Sequence, residues 1–118
     1  MEGVRHALML SRLTYDATVT HLDALRWATS GSAACLGRTD IGEIAVGKQA
    51  DLALFTLDEL RFSGAGDPLA ALVLCGAHRA DRVMIAGRWT VEDGQPVGVD
   101  LARLRAEHGH AARRFLEA

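Results

Sequence analysis

The chain has 118 residues, 49% of them hydrophobic and 24% charged, with a formal net charge of -2. That length accommodates one domain rather than two, and the composition excludes an intrinsically disordered chain. The near-neutral charge balance gives no electrostatic basis for binding nucleic acid or an anionic membrane surface.

The N-terminus, MEGVRHALML, has no basic segment ahead of its short apolar run and does not read as a signal peptide. No stretch approaches the length of a membrane span, and the expected location is the cytoplasm. The spacing predicts a first helix over Val4–Leu13, with Val4, Ala7, Leu8, Met9 and Leu10 forming a broad apolar stripe. It has no capping residue of its own, which suggests a segment cut from something longer, or a frayed end.

Tyr15–Val19 reads as a loop. Thr20 caps the next helix, and Asp23 three residues on supplies a weaker version of the capping box. Leu22, Leu25 and Trp27 line that helix. Ser30-Gly31-Ser32 is read as a break, followed by a second short helix that Gly37 ends. Thr29, Ser30 and Ser32 are read as packing and capping residues. None has a histidine base at an interpretable spacing.

Ile41–Phe55, IGEIAVGKQADLALF, reads as strand, turn, strand. Ile41–Val46 alternates, Gly47-Lys48 turns the chain, and Leu52–Phe55 is a buried strand opened by Asp51. Lys48 and Asp51 are expected to form a surface pair at the turn, with Asp51 also fixing the strand entry by accepting backbone N–H groups. Asp58–Phe62 is a charged connection. Ser63–Gly66 is a plain loop, lacking the lysine and spacing of a phosphate cradle.

Asp67-Pro68 starts a short helix, with Asp as N-cap and Pro at the first helical position, and Gly76 ends it. Arg82–Ile85 and Arg88–Val91 form a β-hairpin around Ala86-Gly87, and Glu92-Asp93-Gly94 closes it. Asp100 caps a last helix, Leu101–Glu117. Its broad face carries Leu101, Leu104, His108, Ala111, Ala112 and Phe115.

The pattern of chemistry-bearing residues is sparse. Cys35 and Cys75 lie in apolar surroundings and are expected as reduced, buried thiols; their spacing offers neither a disulfide framework nor a zinc knuckle. His108 and His110 are two residues apart, which on a helix points the rings about 200° apart, so a solvated or packing role is expected. His6, His21 and His78 stand alone in sequence. Trp27, Phe62 and Trp89 are read as core or interface anchors, since no basic groove accompanies them.

Four stretches carry a family likeness. Leu25–Gly37, LRWATSGSAACLG, is similar to an A-T-x-x-x-A-x-x-L-G helix pair. Ile41–Phe55 matches I-G-x-[IL]-x-x-G-K-x-A-D-L-x-[LVI]-F almost residue for residue. Asp67–Gly76, DPLAALVLCG, is like a D-P-x-x-x-L-V segment. Val83–Gly94, VMIAGRWTVEDG, is similar to V-x-x-[VI]-x-G-x-x-[VL]-x-[DE]-[GN]. On these residues the chain resembles the C-terminal part of the metal-dependent amidohydrolase superfamily, in its cytosine deaminase, chlorohydrolase and 8-oxoguanine deaminase-like branch.

The resemblance implies an α+β chain: the last helices of a TIM-type (β/α)8 barrel, then the C-terminal strands of a small flanking β-sandwich, and a closing helix. Residues 1–37 would be the terminal barrel helices, 38–98 the sandwich segment with a short inserted helix, and 99–118 the C-terminal helix. It implies hydrolysis of carbon–nitrogen (non-peptide) bonds, such as deamination of a purine, pyrimidine or triazine-like ring by metal-activated water. The family's zinc or iron is held by histidines and an aspartate that have no counterpart at the matching positions. No catalytic, metal or cofactor-binding residue is therefore carried over, and this chain alone is expected to be inactive. Its expected partner is the N-terminal barrel or a strand donor, with a homo-oligomer also open. The alternatives are a non-catalytic interaction module, whose unpaired edges would recruit strands, and the non-catalytic half of a split enzyme.

Overall fold

The computed structural model describes residues 1–15 and 18–117. The first helix, α1, spans Glu2–Tyr15. It is longer than expected because the Met1 carbonyl accepts from Arg5 N–H at 3.0 Å and begins the ladder without a side-chain cap. Of the loop expected over Tyr15–Val19, Tyr15 is helical and Asp16 and Ala17 lie outside the described residues.

Thr20 and Asp23 form the full reciprocal capping box at α2 (His21–Arg26). Asp23 accepts from the Thr20 N–H at 2.9 Å and the Thr20 hydroxyl accepts from Asp23 N–H at 3.2 Å. The expected break at Ser30–Ser32 does not occur. The chain runs on through a π-helical turn, Trp27–Gly31, into α3, Ser32–Cys35. The Ser32 hydroxyl donates to the Trp27 carbonyl at 2.7 Å, a side-chain bond back onto the π-turn. Gly37, at φ +66, then ends the helix. Gly37 N–H bonds to Ala34 and Arg38 N–H to Ala33, both at 3.0 Å, which is the Schellman arrangement.

A second correction concerns Ile41–Val46. This segment is irregular, not a strand, and Ile44 and Val46 are fully solvent-facing. Gly42 and Gly47, at φ +92 and +84, turn the backbone left-handed at both ends, and an extended ladder cannot pass through either. The apolar alternation is real, but the backbone does not follow it.

Among the described residues, four strands form one antiparallel meander, ordered β1 (Leu52–Leu54), β2 (Arg82–Ile85), β3 (Arg88–Glu92) and β4 (Gln95–Pro96). Among the described residues β1 pairs only with β2, which makes it an edge strand, and Leu54 is exposed rather than buried. The expectation of a strand covered on both faces is thus overturned. The β2–β3 turn, Ala86-Gly87, has φ of 49 and 77, and the β3–β4 turn, Asp93-Gly94, has 48 and 67. Both are tight two-residue turns whose twist suits antiparallel strands. β3 extends one residue beyond the expected span, and β4 was not foreseen. Register shifts between Val83 and Met84, where Val83 faces Val91 and Met84 faces Trp89. Thr90 is the extra residue, and its hydroxyl donates to the Val83 carbonyl at 3.3 Å.

A 3-10 turn, Leu60–Phe62, and helix α4, Pro68–Leu74, link β1 to β2. Asp67 caps α4 as expected, accepting from Leu69 N–H at 2.9 Å and Ala70 N–H at 3.1 Å. The core lies among the helices. Leu8, Ala24 and Val73 join α1, α2 and α4, while Phe62, Ala71 and Ala77 join the 3-10 turn to α4. The final helix, α5, spans Leu101–Leu116 behind its Asp100 cap and carries no buried residue. No described helix is long and apolar enough to cross a membrane.

Candidate functional site

The motif residues come together at one end of the sheet. Asp51 Oδ1 accepts from the Ala86 N–H at 2.7 Å, and Ala50 O accepts from Gly87 N–H at 3.1 Å. The Ala50-Asp51 dipeptide thereby caps the β2–β3 turn 35 residues away. As expected, Asp51 accepts a backbone N–H group, but one from the neighbouring hairpin and not from its own strand entry. The expected Lys48–Asp51 pair is absent. Lys48 Nζ instead meets Glu43 Oε1 at 2.9 Å and donates to the Thr39 carbonyl. With Asp51 committed to the hairpin, the lysine closes the irregular segment on itself.

Beside it, Arg38 makes a two-pronged contact with Asp40 at 2.9 and 2.6 Å and reaches Gln49 Oε1 at 2.7 Å. Gln49 N–H also bonds to the Asp40 carbonyl at 2.7 Å. The Arg38 hydrogen bonds hold the Asp40 carboxyl below its ordinary range, and Asp40 raises the Arg38 guanidinium in turn. The latch joins residues up to 11 apart, and no spacing rule points to it. Gly42 lies against the π-turn. A Cβ there would stand 2.8 Å from Ala33 Cβ and 3.0 Å from Ser30 Cα.

A polar cleft of about 250 Å³ opens at the other end of β1, lined by Thr56, Glu59, Arg61, His78, Arg79 and Asp81, with Phe62 and Ala77 at its base. Its acids are already engaged. Glu59 pairs with Arg61 at 2.6 Å, and Arg61 also donates to the Gly76 carbonyl at 3.1 Å. Asp81 accepts from Thr56 N–H, and that backbone bond, foremost among several, holds its carboxyl below the usual range. Its own N–H donates to Leu54 O at 2.8 Å, and its carbonyl accepts from Gly94 N–H at 2.8 Å. Asp81 is thus a node tying β1 to the two hairpins. The carboxylates are bound to the scaffold rather than aimed at a shared point.

The remaining polar residues are dispersed. His21 Nε2 lies 3.1 Å from Asp67 Oδ2, joining α2 to the start of α4. The Ala70 N–H, then that of Leu69, and after them His21, hold Asp67 below its ordinary range. His78 lines the cleft, and His108 and His110 are exposed on α5. Thr29 and Ser32 donate back to the Leu25 and Trp27 carbonyls, in keeping with a packing role. Cys35 and Cys75 are exposed, against the expectation of buried thiols. Cys35 sits in a shallow apolar groove with Trp27, Gly31, Ser32 and Leu36. Phe62 is a core residue, whereas Trp27 and Trp89 are partly exposed. Among the described residues, no group of three or more His, Cys, Asp or Glu side chains is placed to hold a metal ion.

Comparison with known proteins gives this arrangement a setting. The amidohydrolase family model matches residues 1–90. The chain is 64% identical over 113 residues to 8-oxoguanine deaminase of Pseudomonas aeruginosa, covering 95% of this chain and 25% of that protein. An adenosine deaminase of Xanthomonas campestris with bound zinc superposes with a TM-score of 0.88 at 34% identity, covering 98% of this chain and 27% of the other. The zinc complex of atrazine chlorohydrolase TrzN from Arthrobacter aurescens superposes at 0.81 with 35% identity, covering 90% and 24%. The chain thus spans about a quarter of the length of the relatives it matches.

Proposed function

The chain belongs to the amidohydrolase family and corresponds to a C-terminal portion of it, and on that premise we propose that it is the scaffolding quarter of a ring deaminase. The reaction is hydrolysis of a carbon–nitrogen bond outside a peptide, and 8-oxoguanine is the first substrate to test. The observation that carries this reading is the 64% identity to the Pseudomonas enzyme over nearly the whole chain.

In this proposal, residues 1–37 serve as terminal barrel helices, 38–98 as part of a flanking sandwich and 99–118 as a trailing helix. The described residues do not fit the zinc that two of the relatives hold, and a metal site needs several converging donors. No hydrolytic step is therefore assigned to this chain. Metal and catalytic groups would come from the rest of the fold. The exposed apolar side chains of α1 (Leu10, Leu13), of the irregular segment (Ile44, Val46) and of β1 (Leu54) are consistent with a surface that needs such a cover.

The test is a chimera in which this chain replaces the matching segment of the Pseudomonas deaminase. Ammonia release from 8-oxoguanine should persist, with kcat/KM within about tenfold of the parent. A folded, metal-loaded chimera without turnover would overturn the proposal.

A further inference from the structure

Helix α5 begins eleven residues beyond residue 90, where the family-model match ends, although the matches to whole relatives run through it. None of its residues is buried, and Leu104 and Phe115 are 51% and 83% exposed. Leu101, Leu104, His108, Ala111 and Phe115 follow one another at steps of three, four, three and four. That is the seam spacing of a helix that packs lengthwise on another helix. Four of the five positions are apolar.

The charges beside the seam distinguish the possible registers of α5 against a second α5. Glu107 and Arg114 lie on the same flank, seven residues apart, and Arg105 lies on the other flank. In one antiparallel register, Leu104 meets the partner's Phe115 and His108 meets the partner's Ala111. That register sets Glu107 opposite the partner's Arg114 and, by the two-fold axis, Arg114 opposite the partner's Glu107. Sliding by one heptad sets Glu107 against the partner's Glu107 and Arg105 against the partner's Arg105, which repel. A parallel pair leaves Glu107 facing the partner's Ala112. Flanking charges of this kind select partner and orientation. Glu107 does bond to Arg103 of its own helix at 2.7 Å, but both side chains are largely exposed, and such a pair holds its geometry weakly.

We propose that α5 is a self-association surface, pairing antiparallel with α5 of a second copy through Leu104 and Phe115, with two symmetric Glu107–Arg114 bridges. A helix of 16 residues presents little area, so the dimer is weak and concentration-dependent.

The test is sedimentation of the 118-residue chain from about 5 to about 500 μM at low salt. The wild type should show a monomer–dimer equilibrium. Glu107→Arg and Arg114→Glu should each weaken it about tenfold, because each turns two attractive pairs into repulsive ones. The double variant Glu107→Arg/Arg114→Glu should restore association to within about threefold of wild type. These positions are exposed, so the fold tolerates the changes, and circular dichroism checks the helix content. A monomer at every concentration would give the α5 face to a different occupant and overturn the proposal. So would association that ignores the single variants, or a double variant weaker than both singles. The outcome is separate from that of the chimera, which reads turnover.

Discussion

Asp51 and Ala86 are 35 residues apart in sequence and 2.7 Å apart in hydrogen-bond contact. The aspartate of the chain's most recognisable motif thus holds the first residue of a hairpin turn, where Ala86 sits at φ 49. An alanine in that conformation is strained by contact between its Cβ and its own backbone. The carboxylate bond helps hold it there. Asp51→Ala should lower stability by about 1 kcal/mol in urea unfolding, and Asp51→Asn, which keeps an acceptor, by less. Ala86→Gly should raise stability by about 0.5–1 kcal/mol by removing the strain. Equal effects of Asn and Ala at position 51 would show that the carboxylate oxygen is not what matters.

Gly42 couples the irregular segment to the π-turn. At φ +92, with Ala33 Cβ, Ser30 Cα and the Thr29 carbonyl all within 3.1 Å of a Cβ placed there, it has no room for a side chain. Gly42→Ala should cost about 2 kcal/mol or more, from backbone strain and from displacement of the helix. Gly64→Ala, also at positive φ but with nothing within 4 Å, isolates the strain term. Thermal unfolding of the two variants compares them. A Gly42 variant no worse than the Gly64 variant would contradict the close packing.

Acid should weaken the fold in a defined window. Asp23, Asp40, Asp67 and Asp81 all titrate below their ordinary value of 3.8 in the folded chain. The unfolded chain therefore binds more protons between the folded values and 3.8, and stability rises with pH there. The contribution is complete above about pH 5 and is lost as pH falls through the folded values. Urea midpoints measured between pH 2.5 and 6, with about half-unit steps, should follow that course. Asp81→Asn should lower the pH 6 midpoint and flatten the acid limb.

Local signals in the sequence read well. The Thr20 and Asp67 caps, Pro68 at the first turn of α4, Gly37 at the end of α3, the Ala86-Gly87 hairpin and the Asp100 cap each follow from a neighbour a few residues away. Asp93-Gly94 is an equally strong hairpin signal, and β4 was legible there, although only two residues follow in the strand. What pattern alone misjudged was burial. Leu52–Leu54 and Ile41–Val46 have the composition of covered strands, yet the first is an edge strand and the second an irregular, exposed segment. Apolar pattern alone does not say whether a segment is covered, and here Leu54, Ile44 and Val46 are exposed. Cys35 and Cys75 are likewise exposed although their sequence neighbours are apolar. The Arg38–Asp40–Gln49 latch, the His21–Asp67 contact and the Asp81–Thr56 bond join residues through the fold, and no periodicity encodes them.

We propose that these residues support a hydrolytic centre without holding its metal. Zinc content of the purified 118-residue chain, after incubation with zinc and exhaustive dialysis, tests it most directly. Zinc should stay well below one ion per chain, with no loss of the folded far-ultraviolet signal on adding a chelator. One tightly held zinc per folded chain would contradict it.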